Sequence, residues 1–380
     1  MLKNIVRNVW GNVKNIPGWR TKQKILVIEA DDYGSFRMPS KSVFDELVKK
    51  NVISGGNHDR NDSIETAEDI DLLFKILKKH RGKNGKYAAF TPFFNPANPD
   101  LDAIINNNFS SYEYLTYAEL LEQNGISEQV HDLWKEGIEE GFCKPQYHGR
   151  EHVNVPVFMK LLQEGNSELM QSIKLGFFHP ELKGFKKYKS LRPGLYFENE
   201  EDKEYIKSSI TDGAVLFKKY FGYDATVFCS SNGVFHDDFK PVLKRSGIRT
   251  LVESGIRFYP DGRGGVTTKR KFIFGEVDSS YNLINYCRNV VFEPTRDGTA
   301  KSVKNAFEEI KKAFRWGKPA VVATHRMNFS GRLHPGNREN SLHALDELLA
   351  EVKKAWPEVA FMNSGELSDL IHTTHKKTLN

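Results

Sequence analysis

Lys24–Ser35 reads KILVIEADDYGS. From Ile25 to Glu29 the side chains are apolar but for the last and mostly branched, which suits a buried parallel strand better than a short helix. The strand runs directly into Asp31 and Asp32 and then into Tyr33-Gly34. Adjacent carboxylates at the carboxyl end of such a strand place paired negative charge at the rim where α/β proteins carry their chemistry. Like charges this close push their pKa values apart or recruit a cation, so one can hold a metal while the other serves as a base. The plainer reading is an Asp-Gly-type turn with a helix cap at Ser35 or Ser40.

Outward from that stretch the chain alternates strand and helix. Ser40 opens a helix through Val43, Phe44, Leu47 and Val48, giving a first βα unit. Residues 58–125 read as an insertion: a strong helix Ala67 to His80, a strand Lys86 to Thr91, and an elaborated rim loop from about 92 to 125. Ser127 to Gly141 reads as a helix and Phe142 to Tyr147 as a strand; after a middle section without clear periodicity, Asp202 to Phe221 is helical again. Strands Ala225 to Cys229, Thr250 to Glu253, Val290 to Glu293, Ala320 to Thr324 and Val359 to Met362 then alternate with further helices. This rhythm argues for a parallel α/β barrel or open sheet. A glycine-rich GRGG at 262–265 lacks the Lys-Ser/Thr pair of a phosphate loop and is discounted.

Composition narrows the function classes. The chain has 380 residues and a net charge of +6, but its basic residues lie in short scattered clusters, a solvated surface and not a nucleic-acid stripe. The three cysteines, Cys143, Cys229 and Cys287, lack CxxC spacing, so neither a disulfide framework nor a thiolate zinc knuckle is indicated. No apolar run approaches a membrane span or a secretory signal core, and the expectation is a cytoplasmic protein. Residues 1–22 form a separate basic segment. Leu2, Val6, Val9, Trp10 and Val13 share one helical stripe, which packs on its own domain or, through residues 1–16, makes peripheral contact with an anionic membrane. Residues 23–372 form one domain, and 373–380 a frayed tail.

The chemistry-bearing residues fall in three islands. His148 and His152, in HGREH, are four apart, so one helical turn places both imidazoles on one side within reach of one ion. Asp32 is the natural third metal ligand, completing a set that leaves a position open for water. Asp31 is then the base that takes a proton from that water. His325, at the end of strand VVAT, reaches the same rim and can act as general acid to a leaving amine. Taken singly, each His also fits a structural role in a polar turn.

ADDYG, HGREH and VVATHR, in that order, resemble the Asp-Asp, His-x-x-x-His and final Leu-x-His motifs of the polysaccharide deacetylases, the NodB-homology group of carbohydrate esterase family 4. The similarity covers most of residues 23–370 thinly. It implies a distorted (β/α)7 barrel, a divalent metal held by Asp32, His148 and His152, Asp31 as base and His325 as acid. It also implies a metal-dependent hydrolase that removes N-acetyl or O-acetyl groups from a carbohydrate, in surface-polysaccharide metabolism. Zinc suits the ligand set, as do cobalt, nickel or manganese. Two departures stand out: Gly149 follows the first His where the group has Ser or Thr, and Cys229-Ser230-Ser231-Asn232 stands where it has Arg-x-Pro. Arg150, Arg288 and Arg326 are the candidates to replace the missing arginine.

Two rival readings remain. HGREH also fits the His-x-x-Glu-His of zinc peptidases, with Glu151 as base, but Gly149, Pro145 and Pro156 oppose the unbroken helix that motif needs. A catalytically silent carbohydrate-binding protein on the same barrel would explain the lost Arg-x-Pro. Tyr33, Phe93, Phe94, Tyr147, Phe235 and Phe329 fall near the expected rim, where aromatics either stack on sugar rings or simply pack.

Overall fold

The computed structural model describes residues 11–182, 190–253, 255–270 and 273–379. Its centre is a run of eight parallel strands: β1 (Ile25–Tyr33), β2 (Phe90–Phe94), β3 (Gln146–Tyr147), β4 (Val227–Cys229), β5 (Thr250–Glu253), β6 (Leu283–Cys287), β7 (Val290–Val291) and β8 (Ala320–His325). They pair in the order β6-β5-β4-β3-β2-β1-β8-β7. That order is cyclic, and its two ends, β6 and β7, are consecutive in sequence. Only Arg288 and Asn289 separate them, so the three-residue step from Cys287 to Val290 spans at most about 11 Å. The sheet is therefore curled into the expected barrel. Among the described residues its seam is closed by covalent chain and side chains, with no ladder recorded between β6 and β7. No helix intervenes there, so two strands stand where a seven-unit barrel has one. Ala360–Phe361 adds to the start of β1, and Glu276–Asp278 runs antiparallel outside β6.

Asn289 bridges the seam. Its side-chain amide donates to the carbonyl of Pro319 at 2.9 Å and to Asn15 Oδ1 at 2.9 Å, and its oxygen accepts from the Val321 N–H at 2.8 Å. Alternation along β1 divides the core in two. Ile25 and Val27 join Val227, Val252, Ile284, Tyr286 and Val321 in the barrel interior, against Leu367 and Ile371 of the last helix, Ser364–Leu379. Leu26, Ile28 and Ala30 point outward, where the helices Ala67–Lys78, Thr299–Arg315 and Pro335–Ala355 cover them. Each fully buried Val, Ile, Leu or Phe contributes about 1.5–3 kcal/mol. On this alternation Glu29 and Asp31 also face inward.

Local signals set the helix starts. Ser40 accepts from the Val43 N–H at 3.1 Å, and Thr66 and Asp69 form a reciprocal capping box.

Several expectations are revised. Residues 58–125 are not one insertion, because Ala67–Lys78 and β2 form an integral βα unit with β2 between β1 and β3. The excursion begins after β2, with the small hairpin Ala97–Pro99 and Tyr114–Thr116. GRGG turns a hairpin between Ile256–Pro260 and Val266–Arg270. Helix Ser364–Leu379 runs through the positions expected to fray. Residues 1–10 of the amino-terminal segment lie outside the described residues. The rest of that segment is docked on the barrel: Trp316 Nε1 donates to Asn12 Oδ1 at 3.0 Å, and the Trp19 N–H to the carbonyl of Phe274 at 2.6 Å. Among the described residues no helix is long and apolar enough to cross a membrane.

Asn289→Ala should strand the Val321 N–H and the Pro319 carbonyl at the buried seam, costing about 2–4 kcal/mol in denaturant unfolding. A loss below about 0.5 kcal/mol would show that the seam does not depend on this amide.

Candidate functional site

The carboxyl ends of the strands open on a cavity of about 340 Å³, lined among others by Asp31, Asp32, His148, His152 and His325. All five residues singled out from the sequence thus meet at one place. Asp31 lies beside His325 in the register of β1 and β8. In a regular strand Asp31 and Asp32 would face opposite sides of the sheet. The pairing of β1 with β2 slips between Ala30 and Tyr33, and Asp32 takes φ 76°. This bulge turns the second carboxylate to the same cavity, at the modest cost of a left-handed Asp.

His148 and His152 approach with ring centroids 5.2 Å apart. They do so without the helical turn inferred from their spacing, because residues 148–154 are irregular and Gly149 has φ 103°. The peptidase reading fails on the same observation. Glu151, its required base, is held by Arg150 at 2.5 and 2.9 Å, and neither residue lines the cavity of the two His.

His148 Nδ1 lies 2.8 Å from the Cys229 carbonyl. A carbonyl only accepts, so Nδ1 carries the proton and Nε2 presents a lone pair. That Nε2 is buried without a hydrogen-bond partner, 3.8 Å from Asp32 Oδ1, while His152 Nε2 is 3.0 Å from the same oxygen. A lone pair facing a carboxylate oxygen in a buried site is repulsive unless a cation lies between them. Asp32, His148 and His152 therefore fit a divalent ion, with donor atoms all within 4.8 Å of one another. Two other groupings are of similar size. Asp31–His148–Cys229 is disfavoured because burial pushes the Cys229 thiol pKa well up and Arg288 occupies Asp31. Asp32–His58–Asp62 is disfavoured because Arg326 binds Asp62 at 2.9 and 3.0 Å.

Among the three candidate arginines the geometry selects Arg288. It grips Asp31 through two bonds of 2.6 Å and Glu29 through a third of 2.7 Å. Arg150 is taken by Glu151 and Asp212, and Arg326 by Asp62 and Glu65. Burial alone would raise the Asp31 pKa, but the Arg288 charge and its hydrogen bonds hold it down to about 2. His325 shows the opposite balance. Burial disfavours its cation, yet Glu293 Oε1 at 2.6 Å from Nδ1 raises the imidazole to about 9. Asn328 in turn donates to Glu293 Oε2 at 2.8 Å.

Glu293, Arg37, His58 and Arg192 went unread in the sequence. Glu293 carried a faint signal as an acidic residue ending the VVFE stretch beside Pro294, whereas the other three follow no motif. The aromatics near the expected rim are packing residues: Tyr33, Phe93, Phe94, Tyr147, Phe235 and Phe329 are all buried, and none lines the cavity.

No protein-family profile matches the chain, and no curated protein matches it in sequence. Solved structures similar to it include a provisionally assigned glycoside hydrolase/deacetylase from Parabacteroides distasonis, 11% identical, with a TM-score of 0.49 over 94% of this chain and 72% of that one. Another is a provisionally assigned polysaccharide deacetylase from Mycobacterium smegmatis, 12% identical, with a TM-score of 0.45 over 94% of each chain. A third is the 4-alpha-glucanotransferase of Thermococcus litoralis, 14% identical, with a TM-score of 0.42 over 90% of this chain. This chain spans 40% of the length of the glucanotransferase. At these TM-scores the site stands on its own distances.

NMR titration of the His325 ring should give a midpoint near pH 9 in the wild type. In Glu293→Gln it should fall toward the ordinary imidazole value of about 6.5. An unchanged midpoint would remove Glu293 as the cause.

Proposed function

We propose that the protein is a metal-dependent hydrolase that removes acetyl groups from an N-acetylated carbohydrate. The observation that carries this reading is the buried, unpartnered lone pair of His148 Nε2 facing Asp32, with His152 on the same oxygen. A divalent cation held by Asp32, His148 and His152 would supply Lewis-acid polarisation of the acyl carbonyl and of the attacking water. Zinc fits two imidazoles and a carboxylate, as do cobalt, nickel and manganese.

The chain's own residues then divide the proton work. Asp31, kept ionised and aimed by Arg288, accepts a proton as water adds to the acyl carbon. The same clamp that fixes its orientation weakens it as a base. His325 has Nδ1 committed to Glu293, so Nε2 is the nitrogen that donates to the departing amine as the carbon–nitrogen bond breaks. Acetate and a free amino sugar result. The cavity is within the range of small-ligand sites, and Ser230 and Asn232 at its wall offer polar contacts to a sugar unit.

The clamp on Asp31 also favours a second reading, a silent carbohydrate-binding protein that keeps the barrel and the metal. Acetate release separates the two.

Elemental analysis should find stoichiometric metal in protein purified without a His tag, and loss of that metal in a His148→Ala, His152→Ala double variant. On an N-acetylated sugar panel, His325→Gln should retain the metal while releasing acetate about 10²–10⁴-fold more slowly. The wild-type rate should decline as pH rises through about 9, since His325 must be protonated to act as an acid. Metal without acetate release would leave the binding reading; no metal after reconstitution with zinc or cobalt would end the hydrolase mechanism.

A further inference from the structure

Arg37 occupies an unusual position in this site. It lies four residues beyond the end of β1, is 3% exposed, and lines the cavity. Its Nη2 donates to Asp32 Oδ1 at 3.1 Å, the oxygen that His152 Nε2 meets at 3.0 Å and His148 Nε2 at 3.8 Å. Its Nε lies 3.5 Å from Asp62 Oδ2, and neither Nε nor Nη1 makes a hydrogen bond among the described residues. Asp62 does not depend on it, because Arg326 binds the other Asp62 oxygen twice. Asp32 does. Its second oxygen faces His58, 3.6 Å away and charged only when protonated. Among the described residues Arg37 is thus the one permanently charged side chain on a buried metal-site carboxylate.

We propose that Arg37 is a resident counter-cation. It holds Asp32 in the folded, metal-free protein and competes with the divalent ion for the same oxygen, so that it sets the metal affinity of the site. The inference rests on the metal reading above and adds to it a residue whose removal should strengthen binding. A buried carboxylate with no cation disfavours folding, which gives Arg37 its role before loading. Once an ion is present, a guanidinium within hydrogen-bond reach of the liganding oxygen repels it. This is opposite in sign to an ordinary supporting residue, whose loss weakens metal affinity about 10–100-fold.

Calorimetric titration of Co²⁺ into metal-free wild type, Arg37→Gln and Arg37→Lys, with thermal unfolding of each, tests the idea. Metal-free wild type should unfold cooperatively. Arg37→Gln should have a lower metal-free Tm that Co²⁺ restores, and should bind Co²⁺ at least about tenfold more tightly than wild type. Arg37→Lys, which keeps the charge, should stay within about threefold of wild type. If Arg37→Gln can be purified only with Co²⁺ present, that is the same substitution of one cation for another and supports the proposal. Equal or weaker binding by Arg37→Gln overturns it, as does a variant that folds neither with nor without Co²⁺, or a metal-free wild type without a cooperative transition. Absence of Co²⁺ binding in all three proteins would instead remove the metal site and this inference with it.

Discussion

Arg288 neutralises two buried carboxylates carried by one strand. The barrel interior holds Glu29, fully buried, with Asp31 above it on the same face of β1. Two inward carboxylates on one strand are untenable in a low-dielectric core unless a cation is fixed between them. Arg288 bonds both, and Tyr286 and Ser364 complete Glu29 with hydroxyl donors at 2.5 and 2.6 Å. Its guanidinium also lies 5.1 Å from the ring centre of Phe93. One side chain thereby stabilises the core and aims the carboxylate proposed as the base.

The origin of Arg288 explains the irregular barrel. It is one of the two residues joining β6 directly to β7, the two short strands that stand where a seven-unit barrel has one. A direct step from strand to strand projects this residue inward at the height of Asp31. The site gains an arginine that the end of β4 does not provide, while that end supplies the Cys229 carbonyl to His148 instead. The departures in motif and in strand count are thus two sides of one arrangement.

Much of this was legible in the sequence and some was not, for physical reasons. The βα rhythm and the strand-terminal residues Asp31, Asp32 and His325 could be read because a buried parallel strand leaves a dense apolar signal ending abruptly in polar groups. β6 escaped because LINYC is short and no helix separates it from the next strand, whereas VVFE was read as a four-residue strand of which Val290–Val291 pair. The pairing of His148 with His152 was legible but its reason was not: the two meet in an irregular loop and not along a helix. Arg288 could be shortlisted but not chosen, since its partners are 257 and 259 residues away in the chain. Arg37 and His58 follow no motif, although Arg37 reaches back only five residues to Asp32, and Glu293 left only the faint signal of an acid at a strand end.

The connectivity of β1 bears on how the chain acquires its structure as it is made. β1 is an early strand, yet its partners are β2, β8 and the Ala360–Phe361 strand, and Glu29 waits for a hydroxyl 335 residues downstream. A ribosome adding about 5–20 residues per second exposes β1 many seconds before those partners emerge. During that interval Glu29, Asp31 and Asp32 stay hydrated and charged, and water solvates them at no cost in structure. The same carboxylates that oppose premature burial of a sticky apolar strand become, once the last third of the chain arrives, the groups around which the barrel closes.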